Sequence, residues 1–539
     1  MAFPLLSWIA LFYAGVAYIT FTYLRSVIAT RQFQAFEREN GSSRAVFSPA
    51  KLPWSLDRVY LVIKASREGL DLFDDFLVPR FQKLKTWTFQ GFAIFNQPYV
   101  TTAEPKNVQA AFATSFKDFA TGPTRAGQFG ALLGHKGIFT ADGEKWARGR
   151  KMVRPVFNRE RVNNLEETER ASEILIDLLP KNEDGKWTEI VDLMPFFYRF
   201  TLDTATAFLF GKSVESQTAA AGKVVEKGSG DLGDIAAAEG FSEAFLVAQQ
   251  WLSYRIRLQG LYFVVDGLKW RRAVNTVRSF VNHYVQQALK QEVERVDEKV
   301  EDGEDKEYNF LSELLKETRD PIELRDQILG LLLAGRDTTA VLLSWTFAEL
   351  AQHPNLYEDL RSSIIDTFGT DSRTPLTFAA LKSNHAIQNL LHESLRLHPV
   401  VPLNNRICTN NTILPVGGGP SGTEPIAVQK GTLVNFVIYQ MHRRKDIWGE
   451  DADEFKPNRW EGRKMGWEFV PFSGGARICL GQQYALTEAS YLLVRLVQRF
   501  DRIEFVGEAE GGRLKKGFGL TMFPADGVKV RLRRAEWRG

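Results

Sequence analysis

A single cysteine set between glycines constrains this chain more than any other feature of its sequence. Cys479 lies in the segment Phe472–Gly481, FSGGARICLG, and the residues from Gln482 to Phe500 carry apolar side chains at helical spacing. Glycines on both sides permit a tight turn in which backbone N–H groups point at the sulfur, and the positive end of the following helix favours a thiolate. The pattern predicts a thiolate held against a metal, with a positive charge supplied by Arg477.

The composition narrows the class of protein. Two cysteines are too few for a disulfide-stapled secreted scaffold or a four-thiolate metal site, and Cys408, which lacks comparable surroundings, is predicted to be an inert packed thiol. Hydrophobic residues make up 44% of the chain, which excludes disorder. With 68 Lys and Arg against 65 Asp and Glu, and no basic block, we expect no nucleic-acid partner.

The uncharged stretch Pro4–Leu24 predicts one N-terminal transmembrane helix. At helical rise it spans about 30 Å, the thickness of a bilayer core, and Arg25 and Arg31 follow it. A cleaved signal peptide is the alternative, which the missing basic n-region and cleavage site disfavour. We therefore predict a single-pass anchor in the endoplasmic reticulum membrane with a cytosolic catalytic domain. The predicted divisions are an anchor at 1–30, a tether and entry at 31–90, and the catalytic domain at 91–539.

Periodicity predicts a mainly α fold with small β-sheets. Helical spacing is found in Pro105–Phe116, Arg159–Leu179, Phe196–Phe210, Arg271–Val296 and Pro321–His353. Short strands are predicted at Phe92–Thr101, Ile413–Val416, Pro425–Val428, Leu433–Val437 and Val528–Leu532. The acidic run Glu292–Lys306 is predicted to be a solvated loop between two helices.

Two glycine patterns fit a dinucleotide-binding fingerprint in form only. Gly417–Gly422 contains Pro420 and is followed by Pro425, which would break the required helix, so it predicts a hairpin turn. Gly228–Gly233 follows no buried strand. If the chain does redox chemistry, its electrons must come from another protein.

Two helices carry polar groups at informative positions. Glu393 and Arg396 stand at i and i+3, where they can pair and reach a third group such as Arg459. The helix beginning at Asp320 and Pro321 contains a Gly, an acid and two hydroxyls in its apolar middle, Leu331–Thr339. Such polarity costs stability unless it is used or satisfied.

These motifs together resemble the cytochrome P-450 superfamily of haem-thiolate monooxygenases. The cysteine loop matches F-x-x-G-x-R-x-C-x-G at every fixed position, Glu393-Ser394-Leu395-Arg396 matches E-x-x-R, and Ala334–Thr339 resembles A-G-x-D-T-T. The resemblance extends from about Val100 to the C-terminus. It implies the cytochrome P-450 fold and one haem b, non-covalently bound with Cys479 as axial ligand.

The resemblance also implies individual roles. Thr338 and Asp337 would relay protons to activated oxygen, and Glu393, Arg396 and Arg459 would form a structural triad behind the haem. Ala334 stands where some related hydroxylases carry a Glu esterified to haem, so no covalent link is expected. The implied haem-contacting residues, including the donors to the propionates, are Trp146, Arg150, Arg406, Phe472 and Arg477.

Local motifs such as Met441–Asp446 and Gly481–Ala489 resemble the fungal n-alkane and fatty-acid hydroxylase branch. The expected substrate is therefore a long apolar chain oxidised at or near its terminal carbon. The alternatives are a fungal secondary-metabolite tailoring enzyme acting on an alkyl or polyketide chain, a haem-thiolate isomerase or dehydratase, and a non-catalytic haem sensor or electron carrier. The residues predicted to line the pocket are nearly all apolar: Leu333, Ala334, Val400, Val401, Leu403, Leu520 and Met522.

Several partners follow from this resemblance. The expected partners are a separate NADPH-dependent diflavin reductase, O2, a small hydrophobic substrate and membrane lipid. The segment Phe241–Trp270 is either a patch that dips into the bilayer or ordinary core.

Overall fold

The fold is mainly helical with small sheets, as the sequence predicts. The computed structural model describes residues 3–52, 55–157, 165–222, 232–297, 310–371, 373–507 and 514–536. The helices in chain order are α1 (Phe3–Glu39), α2 (Leu56–Glu68), α3 (Val78–Leu84), α4 (Pro105–Gln109), α5 (Gly122–Leu133), α6 (Gly143–Val153), α7 (Glu166–Leu178), α8 (Leu193–Phe210), α9 (Ser216–Ala220), α10 (Leu232–Arg257), α11 (Leu268–Asp297), α12 (Phe310–Glu317), α13 (Pro321–Gln352), α14 (Pro354–Phe368), α15 (Phe378–Ser383), α16 (His385–Leu397), α17 (Ile438–Met441), α18 (Lys445–Trp448) and α19 (Gln482–Arg499).

Short strands and turns complete the chain. The strands are β1 (Val46–Phe47), β2 (Thr88–Phe92), β3 (Pro98–Thr102), β4 (Phe119–Ala120), β5 (Val191–Asp192), β6 (Leu403–Cys408), β7 (Thr412–Gly418), β8 (Glu424–Val428), β9 (Leu433–Val437), β10 (Phe500–Phe505), β11 (Lys516–Phe518), β12 (Met522–Pro524) and β13 (Lys529–Arg534). Leu72–Leu77 and Ala110–Thr114 are π-helical, and 3-10 turns occupy Ile94–Asn96, Phe116–Asp118, Arg154–Phe157, Gln259–Val264, Pro457–Trp460 and Gly475–Arg477.

One compact unit combines residues 1–56, 80–120 and 405–436. Its six-stranded sheet has the order β1-β2-β3-β9-β6-β4. Strands β2 and β3 are antiparallel, with Thr88 opposite Thr102, whereas β3 and β9 are parallel, with Tyr99 opposite Leu433. The sheet therefore joins strands from the first 120 residues with two strands, β6 and β9, that lie far along the chain.

The same unit tests two predictions about turns. The hairpin predicted at Gly417–Gly422 is confirmed, since β7 and β8 are antiparallel and the Gly417 N–H donates to the Gly422 carbonyl at 2.8 Å. The single strand predicted at Phe92–Thr101 is wrong. Phe92 ends β2, and a turn through Asn96, at φ +57°, leads into β3. Asn tolerates this left-handed conformation, which allows the chain to reverse there.

The second unit comprises residues 57–79, 121–404 and 437–539, and α13 runs through its core. The Asp320 side chain accepts from the Ile322 N–H at 2.9 Å, Pro321 occupies the first turn, and the helix ends before Pro354, as predicted. Helix α13 packs against α8, α11, α16 and α19. Within the polar middle of α13, Arg336, Asp337 and Thr339 are buried.

Among the described residues, one helix is long and apolar enough to cross a membrane. It is Pro321–Gln352, and 78% of its most apolar span is buried inside the protein, as befits a core helix. The N-terminal helix α1 is not among such spans in the described part of the chain.

Two other boundaries differ from the sequence predictions. Helix α1 continues through Gln34–Glu39, where a tether is predicted. Helix α11 continues to Asp297, so the first part of the run Glu292–Lys306 is helical, and residues 298–309 lie outside the described residues. Residues 158–164, at the start of the helix predicted from Arg159, and 228–231, in the second glycine pattern, also lie outside them.

The segment Phe241–Trp270 is predicted to be either a patch that dips into the bilayer or ordinary core, and different parts of it match each prediction. Phe241, Phe245 and Leu252 are fully buried in the core. In contrast, Phe263 and Val264 are 62% and 64% exposed, and Leu268 just after them is 71% exposed. Helix α10 is therefore core on one face, and the turn after it presents apolar side chains outward.

Candidate active site

The loop before α19 holds Cys479 in a closed turn. The Cys479 N–H donates to the Phe472 carbonyl at 3.0 Å, and the Ser473 N–H donates to the Val470 carbonyl at 3.0 Å. Ser473 and Gly475 both have left-handed backbones, at φ +63° and +62°. Gly474 is required because a Cβ there would lie 2.5 Å from the Trp467 ring. Helix α19 begins three residues after the cysteine.

The environment of the Cys479 sulfur opposes and favours a thiolate at once. Cys479 is exposed to solvent. Desolvation by the surrounding protein nevertheless raises the pKa of the thiol, while a hydrogen bond from the Gly481 N–H and the charge of Arg150 act in the opposite direction. A bound metal would complete the balance, because a coordinating thiol is deprotonated outright.

Three of the residues expected to hold the haem converge beside this loop. The Arg477 guanidinium lies 4.3 Å from the Trp146 ring centroid, and that of Arg150 lies 5.7 Å from it. Arg150 donates to the Ile478 carbonyl at 2.9 Å, and Arg477 pairs with Asp142 at 2.6 Å. Burial lowers the pKa of Arg477 to about 10, which still leaves it charged at neutral pH. Its Nε is buried without a hydrogen-bond partner among the described residues.

Arg406 and Cys408 belong to the unit that contains the six-stranded sheet. Both lie on β6 and are buried, and the Arg406 guanidinium lies 4.8 Å from the Phe112 ring centroid. Cys408 pairs with Phe119 of β4, and desolvation raises the pKa of its thiol to about 12. A thiol of this kind is a packing residue, as expected for Cys408 from the sequence.

Glu393, Arg396 and Arg459 form a buried ion-pair cluster. Arg396 grips both carboxylate oxygens of Glu393 at 2.8 Å, and Arg459 Nε reaches Oε1 at 3.0 Å. The Trp460 indole and the Lys456 N–H donate to the same carboxylate at 3.0 and 2.9 Å. Because five hydrogen bonds converge on this buried carboxylate, removing one of its charged partners would leave a buried charge poorly compensated.

The polar middle of α13 is tied to two other helices. The Thr338 hydroxyl donates to the Ala334 carbonyl at 2.7 Å. Arg336 donates to Asp337 at 2.9 Å and to Gln249 of α10 at 2.8 Å, and its guanidinium lies 5.0 Å from the Tyr198 ring centroid. Burial raises the pKa of Asp337, and the Arg336 charge opposes that rise. Burial therefore favours the protonated form of Asp337, which immediately precedes Thr338 on α13.

The predicted pocket residues divide into two groups in the core. Val400, Leu403 and Met522 belong to one apolar cluster, and Leu333 and Leu520 to another. The Met522 N–H donates to the Val400 carbonyl at 3.0 Å, which joins β12 to the segment after α16. Met522 is itself fully buried, whereas Val401 is 39% exposed. Ala334 is partly exposed on α13.

Sequence reasoning missed several residues of this site. Asp142, which pairs with Arg477, also accepts from the N–H groups of Thr121 and Gly122, and no motif marks it. Gln249 lies within a run of mixed polarity that gives no sign of its contact with Arg336. Sequence reasoning also missed Glu488, which is buried on α19 and accepts a hydrogen bond from the Thr204 hydroxyl, although a buried carboxylate is unusual.

Comparison with known proteins gives one consistent result. A family model described as Cytochrome P450 matches residues 79–521. The chain is 41% identical over 526 residues to Cytochrome P450 monooxygenase g430 of Fusarium sp., covering 97% of this chain and 90% of that protein. It is 44% identical over 490 residues to Cytochrome P450 52A13 of Debaryomyces hansenii, covering 89% and 90%. Relatives of this name confirm the predicted resemblance to the fungal n-alkane and fatty-acid hydroxylase branch.

A solved structure is similar over most of its length. The heme domain of cytochrome P450DA matches with a TM-score of 0.70, covering 92% of this chain and 98% of that one, at 19% identity. At this identity the likeness shows the fold alone.

Proposed function

The chain belongs to the cytochrome P450 family of haem-thiolate monooxygenases, and on this premise we propose that it hydroxylates a long-chain alkane or fatty acid at or beside the terminal carbon. The observation that carries the proposal is the apolar character of the predicted pocket residues Leu333, Ala334, Val401 and Leu520, of which Leu333 and Leu520 pack in one core cluster. Burying a charged or sugar-like group against such residues would leave polar atoms unpaired.

The residues present fit a haem. Cys479 supplies one thiolate at the start of a helix, with an N–H already bonded to its sulfur. Arg150 and Arg477 supply cationic donors beside it, and Arg477 Nε, which has no hydrogen-bond partner in the described part of the chain, is a donor that a propionate could use. When bound, the haem supplies the oxygen activation and the attack on an unactivated C–H bond.

The chain's own contribution is to hold protons and position the substrate. Burial raises the pKa of the Asp337 carboxyl, which favours its protonated form, and the hydroxyl of the next residue, Thr338, is the group proposed to pass a proton on. Arg336 and Gln249 fix the position of Asp337. A passive electron carrier or sensor has no use for such a pair, which favours the enzyme over that alternative.

The proposed reaction is tested by product analysis. Membranes carrying the protein and a diflavin NADPH reductase would be incubated with a graded panel of n-alkanes and fatty acids, and the products identified by mass spectrometry. Hydroxylation at or beside the chain end is expected. Absence of turnover across the panel, with haem retained, would instead favour the tailoring enzyme that acts on an alkyl or polyketide chain. Turnover without NADPH would favour the isomerase or dehydratase.

We further propose that α1 anchors the protein in the endoplasmic reticulum membrane. On this helix Phe12, Tyr13, Tyr18 and Ile19 are each more than 60% exposed, an arrangement that water disfavours and lipid accepts. The exposed turn at Phe263, Val264 and Leu268 is proposed as a second lipid contact. Deleting residues 1–30 should release the protein from membranes at high salt. Glycan on Asn40 or Asn410, both in sequons, would contradict a cytosolic catalytic domain.

A further inference from the structure

We propose that His442 is a positioning residue for the cysteine loop, linking the Glu393–Arg396–Arg459 cluster to the segment Val470–Cys479 through a ring nitrogen. The inference rests on the proposed role of Cys479 as haem ligand. It goes beyond that role by naming the side chain that holds the loop in register. The argument follows a continuous series of hydrogen bonds.

The first bond joins the ion-pair cluster to His442. Arg396 is fully buried and, besides gripping Glu393, donates from Nη1 to the His442 carbonyl at 2.9 Å. The same nitrogen donates to the Ala452 carbonyl at 2.6 Å. The backbone at His442 is therefore fixed by the Arg396 guanidinium, which is itself held by Glu393 and the Ala452 carbonyl.

The second bond joins the His442 ring to the approach to the loop. The Val470 N–H donates to His442 Nε2 at 3.1 Å, and His442 is fully buried. A backbone N–H can only donate, so Nε2 must be the unprotonated nitrogen and the imidazole must be neutral. Burial, followed by the Arg396 charge, lowers the pKa of His442 to about 3, which keeps the ring neutral.

The third step leads from Val470 to the cysteine. The Val470 carbonyl accepts from the Ser473 N–H, and the Phe472 carbonyl accepts from the Cys479 N–H, each at 3.0 Å. Ser473 has a left-handed backbone that a non-glycine residue adopts only when its surroundings enforce it. Anchoring Val470 fixes one end of this strained turn.

Ring packing orients the imidazole and supplies a control. The His442 ring centroid lies 5.2 Å from that of Phe469, and the His392 centroid lies 5.8 Å from the same ring. Both histidines therefore contribute to one aromatic cluster. In the described part of the chain, however, only His442 is seen to accept a hydrogen bond from the segment leading to Cys479.

The test compares three variants of the full chain loaded with haem. His442→Leu removes the acceptor, His442→Gln places an amide oxygen where Nε2 lies, and His392→Leu removes an imidazole from the same cluster. The readouts are the ferrous–carbon monoxide spectrum, which reports thiolate ligation, and the rate of haem loss to an acceptor protein. Neither requires a substrate, so a wrong substrate proposal leaves them unaffected.

We expect His442→Leu to lose most of the red-shifted band and to bind haem about tenfold more weakly, which is typical for loss of a second-layer partner. His442→Gln should retain the red-shifted band. His392→Leu should lower thermal stability and leave the red-shifted band unchanged. A native spectrum and a native haem affinity in His442→Leu would overturn the proposal. It would also be overturned if His442→Gln and His392→Leu lost as much of the red-shifted band as His442→Leu does.

A folding failure of His442→Leu would move the comparison to His442→Asn, whose side chain is too short to reach the Val470 N–H. A smaller red-shifted fraction in the Asn variant than in the Gln variant supports the proposal. Equal fractions overturn it. If Cys479→Ala keeps the red-shifted band, the ligand assignment itself has failed, which is a different result.

Discussion

The indole of Trp345 lies flat on the imidazole of His398, with ring centroids 4.0 Å apart and planes inclined by 4°. His398 Nε2 is 2.6 Å from the Glu349 carboxylate, and Trp345 Nε1 donates to the Met522 carbonyl at 2.7 Å. Glu349 and Trp345 belong to α13, and His398 follows α16. The stack therefore connects the core helix to the two segments that carry Val400 and Met522.

Replacing Trp345 by Phe should shift the products of the reaction. The ring packing is kept, but the buried Met522 carbonyl loses its donor, at a cost of about 1–3 kcal/mol. Because the Met522 N–H also bonds the Val400 carbonyl, the change displaces both pocket segments. Trp448→Phe is a matched control, since the Trp448 indole donates to the Met441 carbonyl at 3.1 Å. Both variants should unfold at a lower urea concentration than the native chain. An unchanged product ratio in Trp345→Phe would contradict the expected effect.

The two cysteines should behave differently. Cys479→Ala is expected to abolish the red-shifted carbon monoxide band of the reduced protein, because the partly exposed sulfur of the loop is removed. Cys408→Ala should leave the band intact, because that thiol is buried and its pKa is raised to about 12. Loss of the band in Cys408→Ala together with its survival in Cys479→Ala would show that the ligand is the other cysteine.

Thr338→Ala should uncouple oxygen consumption from product formation. Thr338 follows the buried acid Asp337 in the chain, and proton transfer by a positioned side chain contributes about 10²-fold or more to a rate. NADPH-driven oxygen uptake should continue with release of peroxide, while hydroxylated product falls. Thr339→Ala, one residue along, serves as the control. No effect of Thr338→Ala on NADPH-driven oxygen consumption, with no hydroxylated product from either protein, would support a passive haem-binding role.

Glu488→Gln should remove a destabilisation that grows with pH. Glu488 is buried on α19 with Thr204 hydrogen-bonded to one oxygen, and desolvation raises its pKa from 4.5 to about 8. The folded state then holds a proton that the unfolded state has released, so stability contributed by this group is full below pH 4.5 and is lost as pH rises to about 8. The free energy of unfolding should be measured with urea at both ends of this pH window. Relative to the native chain, that of the variant should rise by on the order of 1–3 kcal/mol at high pH.

The pKa of Glu349 is shifted in the opposite direction to that of Glu488 and serves for comparison. Burial alone would raise the pKa of Glu349, but the hydrogen bond and charge of His398 outweigh it, and the pKa is lowered. Its stabilising contribution is therefore present above the unfolded-state pKa and is lost on acidification. A Glu488→Gln profile parallel to that of the native chain would mean that Glu488 is ionised in the folded protein at neutral pH.

Local patterns in the sequence were sufficient for features whose chemistry is contained in a short segment. The cysteine turn, the cap at Asp320 and Pro321, and the β7–β8 hairpin all depend on residues within a few positions of one another. Glu393 and Arg396 are one helical turn apart, so their pairing was predictable from spacing. Choosing Arg459 as the third member required the family resemblance.

Other features arise only when distant segments meet. The stack of Trp345 on His398 and the bond from Val470 to His442 join residues with no periodic relation in the chain. The strand predicted across Phe92–Thr101 failed because apolar residues continue through a turn, where Asn96 changes the direction of the backbone. Hydrophobic pattern alone does not distinguish a turn lined by apolar residues from a strand.

The parallel pairing of β3 with β9 sets an order of events during synthesis. Tyr99 leaves the ribosome long before its partner Leu433, a delay on the order of tens of seconds at roughly 5–20 residues per second. Throughout that interval the β2–β3 hairpin presents an open edge to any other nascent chain or chaperone. The yield of folded enzyme in a host should therefore depend on elongation rate and chaperone supply more than on the final stability of the sheet.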